Sequence, residues 1–252
     1  MSFDVGAEAY DRFMGRYSRL LSPQLADLAG VRRGQRAIDV GCGPGALTAE
    51  LLTRLGPAAV AAVDPSEPFV AAAQARNPGV DVRRASAEQL PFPDGTFDAA
   101  LAQLVVHFMK DPVAGLTEMA RVTRQGGVLA ASVWDHAGGH GPLAVFWQAA
   151  RELDPDVDDE SQLAGTREGH LAELFEAAGF REVEEAAHSA TLEHPTFDAW
   201  WQPFTLGVGP AGSHVASLDA EGQAELRERC RALLPSAPFV LTATAWAARG
   251  LV

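Results

Sequence analysis

The chain has 252 residues, is 47% hydrophobic and carries a net charge of −13, a composition that allows one domain with a full core and a lid. That acidity, with Lys110 as the single lysine and no run of basic residues, argues against a nucleic-acid partner. Two cysteines, Cys42 and Cys230, fit a reducing cytoplasm rather than a disulfide framework, no stretch approaches the ~18 apolar residues of a membrane span, and Met1–Asp4 lacks a basic-then-apolar leader.

Residues 1–35 carry Tyr10, Arg12, Phe13, Arg16, Tyr17 and Arg19. They read either as an amphipathic helical cap or as a helical flap whose Tyr and Arg side chains close over a ligand's polar end. Residues 36–252 then form the main domain. Its organising stretch is Ala37–Thr48, AIDVGCGPGALT. A short apolar run ends at Val40, glycines follow, and Leu47, Leu51 and Leu55 recur at helical spacing. Strand, tight turn and helix are expected, with the helix's free N–H groups aimed at an oxygen-rich or anionic ligand.

Ala58–Val63 reads as a strand ending at Asp64, and Ser66 opens a helix through Ala75. Val80–Arg84 and Phe97–Leu104 read as strands, the second announced by the turn Pro93-Asp94-Gly95. Asp111-Pro112 opens a helix, Gly126-Gly127 stops it, and Val128–Trp134 is a fifth strand. Strands alternating with helices imply an α/β fold: a doubly wound, mostly parallel sheet with its ligand at the carboxyl strand ends. Gly41, Asp64, Ser86, Gln103 and Trp134 all fall at such ends.

Beyond Trp134 the alternation breaks. A glycine-rich loop at Asp135–Gly141 leads to a helix from about Pro142 to Leu153 and a solvated acidic run, Asp154 to Glu160. A helix over Glu168–Ala178 ends at Gly179, and Arg181–Leu192 reads as a strand. Helical segments near Phe197–Leu206 and Asp219–Leu234 precede a closing strand, Phe239–Ala248. Insertions at about 138–165 and 195–237 are expected to build a lid on the ligand rim.

Gly41, Gly43 and Ala46, with Asp64 downstream, also satisfy the dinucleotide-binding fingerprint. A short-chain nicotinamide oxidoreductase needs a Tyr and a Lys about four residues apart. Lys110 is far from Tyr10 and Tyr17, so that version is excluded. A protein that binds its ligand without catalysis stays open. His136 and His140 are separated by glycines that disfavour a helix, and no metal site is expected.

The ordered set AIDVGCGPGALT, AAVDPSEPF, SAEQLPFPDGTFDAALAQLVVHF and LTEMARVTRQGGVLAASVW resembles the class I S-adenosylmethionine-dependent methyltransferases. Within them it is closest in kind to the small-molecule enzymes of the ubiquinone/menaquinone group, with the type 11 methyltransferase domain. The four stretches cover roughly residues 36–134, and AYDRFMGRYS resembles the flap of related enzymes. The resemblance implies a Rossmann-like, seven-stranded sheet with the last strand antiparallel. It also implies S-adenosyl-L-methionine as cofactor, a small-molecule methyl acceptor and direct in-line transfer, by a monomer or homodimer.

Position by position, the resemblance places Gly41, Cys42 and Gly43 along the methionine part and Asp64 on the ribose hydroxyls. Pro65 and Phe69 would flank the adenine, and Ala87 would meet its edge. Gln103, Leu104 and His107 would face the methionyl chain, Arg16 would pair with its carboxylate, and Tyr10 would close over it. The family's usual acidic residue on the adenine amino group is Ser86 here, so Ser86 or Glu88 would serve. Tyr17, Trp134 and Trp147 are expected in the acceptor pocket. His107 is the candidate base, with His140 second.

Overall fold

The computed structural model describes residues 6–252; the reading of a missing leader at Met1–Asp4, and the first five residues of the flap, lie outside the described residues. A short helix α1 (Ala7–Tyr10) continues through a π-helical turn (Asp11–Gly15) into α2 (Arg16–Leu28). The core then alternates: β1 (Ala37–Val40), α3 (Ala46–Leu55), β2 (Val60–Asp64), α4 (Glu67–Arg76), β3 (Asp81–Arg84), β4 (Phe97–Gln103), α5 (Pro112–Val122) and β5 (Thr123–Trp134). After β5 come α6 (Ala144–Leu153), α7 (His170–Ala177), β6 (Arg181–His194), α8 (Phe197–Trp201), α9 (Gly209–Ser217), α10 (Ala220–Leu233) and β7 (Phe239–Leu251).

The seven strands lie in the order β3-β2-β1-β4-β5-β7-β6. All neighbouring pairs from β3 to β5 are parallel, whereas β7 runs antiparallel to both β5 and β6. The expected seven-stranded, last-antiparallel sheet is therefore the one observed. Strand order reverses between β1 and β4, and their carboxyl ends flank the crevice where such sheets take ligands.

Alternation within β1 sets up everything above it. Ile38 and Val40 pack with Ala61, Val63, Leu116 and Met119 on one face. Ala37 packs on the other with Leu25, Leu47 and Leu51 of α2 and α3. Asp39 shares that second face and is buried, a polar group inside an apolar layer. The β2 strand is shorter than expected because Pro57–Ala59 form a 3₁₀ turn, where proline has no N–H to give a ladder. Helix α9 was unforeseen, since its Gly-Pro-Ala-Gly opening reads as a turn; Pro210 in the first turn is nonetheless compatible with a helix.

The inserted helices and the N-terminal segment share a second core, which includes Phe13, Phe146, Trp147, Trp200, Trp201 and Phe204. Phe146 stacks on Phe204 with ring centroids 4.7 Å apart. Among the described residues no helix is long and apolar enough to cross a membrane.

Gly41 sits at φ 73°, and a Cβ there would overlap the Val105 side chain. Gly41→Ala should therefore lower unfolding free energy by about 1–3 kcal/mol, through left-handed strain plus overpacking. Urea unfolding of the two proteins measures it.

Candidate functional site

The first cleft grows out of β1 and β2. Gly41 N–H and Cys42 N–H both donate to the Val63 carbonyl, at 2.8 and 2.9 Å, which folds the loop back over the end of β2. Asp64 fastens the same loop: its Oδ2 accepts from Gly43 N–H and its Oδ1 from Ser66 N–H, each at 2.8 Å. Burial raises the Asp64 pKa, against the lowering effect of those two bonds. Each carboxylate oxygen has a further lone pair to offer. A Cβ built on Gly43 would meet nothing within 4 Å, so this backbone faces open space.

Asp39 and Gln103 form the floor of this cleft, which has a volume of about 330 Å³ and also touches Tyr10, Ser18 and Cys42. Asp39 Oδ2 accepts from the Thr48 hydroxyl at 2.6 Å. Gln103 Nε2 donates to the Ser18 carbonyl at 3.0 Å. Asp39 Oδ1 and Gln103 Oε1 are buried with no hydrogen-bond partner among the described residues. Two open acceptors in one cleft call for a ligand with N–H donors, because leaving them unpaired is costly. Burial pushes Asp39 up to about 7, partly offset by Thr48. Burial and the two carboxylates likewise hold the Cys42 thiol well above its ordinary range, so it is a poor nucleophile.

A second, largely apolar cavity of about 440 Å³ lies beside the first, and Tyr10 lines both. Gln103 faces the first cleft, while its neighbour Leu104 faces the second. Leu104 achieves this at φ 60°, a left-handed conformation that costs a leucine energy and marks functional loops. His107, Trp134, His136 and Glu160 bring polar groups to the cavity wall. Burial first, and then the nearby His136, hold His107 well below the ordinary imidazole range, and its Nδ1 has no partner among the described residues.

The other expected residues are distributed unevenly. Phe69 is buried edge-on to Tyr10, with centroids 5.3 Å apart. The Pro65 carbonyl accepts from Arg84 at 3.0 Å. Ala87 is buried in the main core. Ser86 and Glu88 act on each other: the Ser86 side chain is hydrogen-bonded to the Glu88 carboxylate, which also accepts from Lys110 N–H at 2.9 Å. Arg16 stands over the Tyr17 ring at 5.5 Å and toward His194 of β6, whose pKa burial lowers first and the nearby Arg16 charge lowers further. Tyr17 lies behind Trp134, with centroids 5.8 Å apart. Trp147 reaches the cavity through Glu160, whose Oε2 accepts from the indole N–H at 3.0 Å.

Two expectations need correction. His140 projects outward with a 70% exposed side chain, held by Asp135 Oδ2 at 2.7 Å. That bond organises the glycine-rich loop and takes the imidazole away from the cavity. The acidic run is not solvated to its end: Glu160 is 3% exposed and forms part of the cavity wall. Glu160 and His136 are the site groups that sequence reading missed. His136 could have been suspected from its place two residues after a strand end. Nothing local distinguishes Glu160 from the carboxylates before it.

Residues 38–131 match the family described as a methyltransferase domain. The chain is 33% identical over 147 residues to the malonyl-[acyl-carrier protein] O-methyltransferase of Erwinia billingiae, a match spanning 58% of this chain and 57% of that protein. It is 31% identical over 223 residues to the nocamycin O-methyltransferase of Saccharothrix syringae, covering 79% of this chain and 78% of that one. The solved structure of a putative methyltransferase from Bacillus halodurans superposes with a TM-score of 0.60 at 18% identity, over 91% of this chain and 97% of that chain. The last likeness shows a common fold.

Asp39 provides a pH test of the first cleft. Its carboxyl titrates near 3.8 when exposed and at about 7 in the fold, so between those values the folded chain keeps a proton that the unfolded chain releases. Its contribution to stability therefore falls as pH rises through that interval. The difference in unfolding free energy, wild type minus Asp39→Asn, should drop by roughly 2–4 kcal/mol between pH 4 and 7.5. Urea unfolding at each pH measures the slope, and a flat difference would contradict it.

Proposed function

The chain belongs to the S-adenosylmethionine-dependent methyltransferase family, and on that premise we propose that it transfers a methyl group to a small, largely apolar acceptor. The observation that carries this reading is the pair of adjoining cavities. One is lined by glycine backbone and open acceptors; the other is apolar, and Tyr10 stands between them. Small-molecule sites have this composition, an apolar wall with few, placed polar groups.

The first cleft suits S-adenosylmethionine. The ammonium of its methionyl end would supply N–H donors for Asp39 Oδ1 and Gln103 Oε1, which have no partner among the described residues. The side-chain-free Gly43 lets a ligand lie against the backbone. Asp64 would take the ribose hydroxyls on its remaining lone pairs. Ser86, engaged with Glu88, would offer its oxygen to the adenine amino group, and Phe69 and Pro65 would bound the base. Arg16, lying toward His194, has a weaker claim on the methionyl carboxylate than the notion of a closing flap gives it.

The bound cofactor brings an already activated methyl group, so the protein's task is alignment and exclusion of water. Helices of the second core and the N-terminal segment would serve as the lid that excludes it, with Phe13, Leu143 and Val208 on the cavity wall. Where the nucleophile must lose a proton, His107 is the base: it is neutral and buried, it lines that wall, and its Nδ1 has no partner among the described residues. The relatives named O-methyltransferases support an oxygen acceptor.

Asp64→Ala should weaken S-adenosylhomocysteine binding by roughly 1–3 kcal/mol, the scale of lost bonds to a charged group. Calorimetric titration measures it, and unchanged affinity would remove Asp64 from the site. The protein incubated with methyl-labelled cofactor and a cell extract should place label in the small-molecule fraction. Label confined to macromolecules, or cofactor binding with no transfer, would overturn the proposal.

A further inference from the structure

The second cavity contains a polar arrangement that methyl transfer alone does not explain. The His136 Nε2 and Glu160 Oε1 atoms stand 4.0 Å apart, with side chains only 3% and 4% exposed. Both line the cavity. Four ångströms is too long for a direct hydrogen bond, which closes at about 3 Å. It is a separation that one oxygen atom bridges when it lies about 2.8 Å from each partner, with an angle of about 90° at the bridging atom.

The pair is held at that distance from behind. Trp147 N–H donates to Glu160 Oε2, which directs the other oxygen toward His136. His136 follows directly on Asp135, whose Oδ1 accepts from Gly138 N–H and whose carbonyl accepts from Gly141 N–H, both at 2.8 Å. A Cβ on Gly141 would lie 3.1 Å from His136 Nδ1, so the ring is packed against that loop. Neither group is free to swing over and close the gap.

We propose that His136 and Glu160 form an anchoring site for a hydroxyl group on an apolar acceptor. The hydroxyl donates to Glu160 Oε1 and accepts from His136 Nε2–H, one donor and one acceptor meeting one of each. A primary ammonium has three N–H donors and no lone pair, and leaves the histidine donor unused. Burial pushes Glu160 up to about 7 and His136 down to about 4, so near neutrality the ring is uncharged and can present a neutral N–H. The charged and titratable groups around the pair are Asp135, Asp159 and its ion-pair partner Arg151, with His107 on the adjoining wall. The site rests on the reading of this cavity as the acceptor's.

The test uses the full chain saturated with S-adenosylhomocysteine, titrated at pH 8 with 2-naphthol, 2-methylnaphthalene and 2-naphthylmethylammonium as probes. The naphthol should bind about tenfold or more tightly than the methyl compound, the scale of a bond to a buried charged group, and more tightly than the ammonium. Glu160→Gln, which keeps side-chain size, and His136→Phe, which keeps an aromatic ring but removes the N–H, should each reduce that preference at least fivefold. Their affinity for S-adenosylhomocysteine should change less than twofold, which reports an intact fold. Equal affinities for naphthol and methylnaphthalene, no binding of either, a preference for the ammonium, or an undiminished preference in both variants would overturn the anchoring site. Failure of the unaltered protein to bind S-adenosylhomocysteine would instead overturn the reading beneath it.

Discussion

The two carboxylates at the ends of β1 and β2 shape the first cleft. Asp64 fixes the glycine loop by accepting the Gly43 N–H. Asp39 is buried beneath that loop with one oxygen bonded to Thr48 and the other bonded to nothing described. A buried acceptor without a donor costs folding free energy. The fold tolerates that cost at Asp39 and Gln103 because large apolar clusters pack on both faces of the parallel strands around them. A donor placed between the two acceptors would recover it.

The second cavity follows from a second packing problem. A seven-stranded sheet covers its own faces with α2–α5 and α7, but the rim above the strand ends remains exposed. The chain closes it with helices whose aromatic residues bury one another, as Phe146 does against Phe204 and Trp147. Phe13, from the π-helical turn, joins that core with its ring 5.0 Å from Phe204. A π-turn inserts extra backbone into a helix and re-aims the side chains around it. Here it separates Tyr10, which serves both cavities, from Ser18, which receives Gln103. The N-terminal segment is thus tied at once to the aromatic core and to the floor of the first cleft.

Much of the sheet was legible because its signals are local. AIDV, VAAVD and FDAALAQ are predominantly apolar runs closed by turn residues, as strands buried on both faces tend to be. Boundaries moved by a few residues where proline or a 3₁₀ turn intervened. The glycine loop of the first cleft was legible for a related reason: a loop that brings backbone to a cleft wall must spell itself in glycine. The polar lining of the second cavity was not. Glu160 closes a run of carboxylates and differs from Asp158 only in the direction its backbone takes. His140 and His136 share one glycine-rich loop, yet Asp135 turns the first outward while the second lies against the cavity.

The amino-acid sequence by itself determined the parallel α/β core, the position of the crevice, and the glycines and carboxylate that line it, since each depends on periodicity or backbone freedom within a few residues. Tertiary structure alone decided which polar side chains of the inserted helices face inward, which are left unpaired, and how far apart they stand. Those outcomes depend on contacts between segments distant in sequence, such as Trp147 with Glu160 and Gln103 with Ser18, and burial converts such contacts into chemistry.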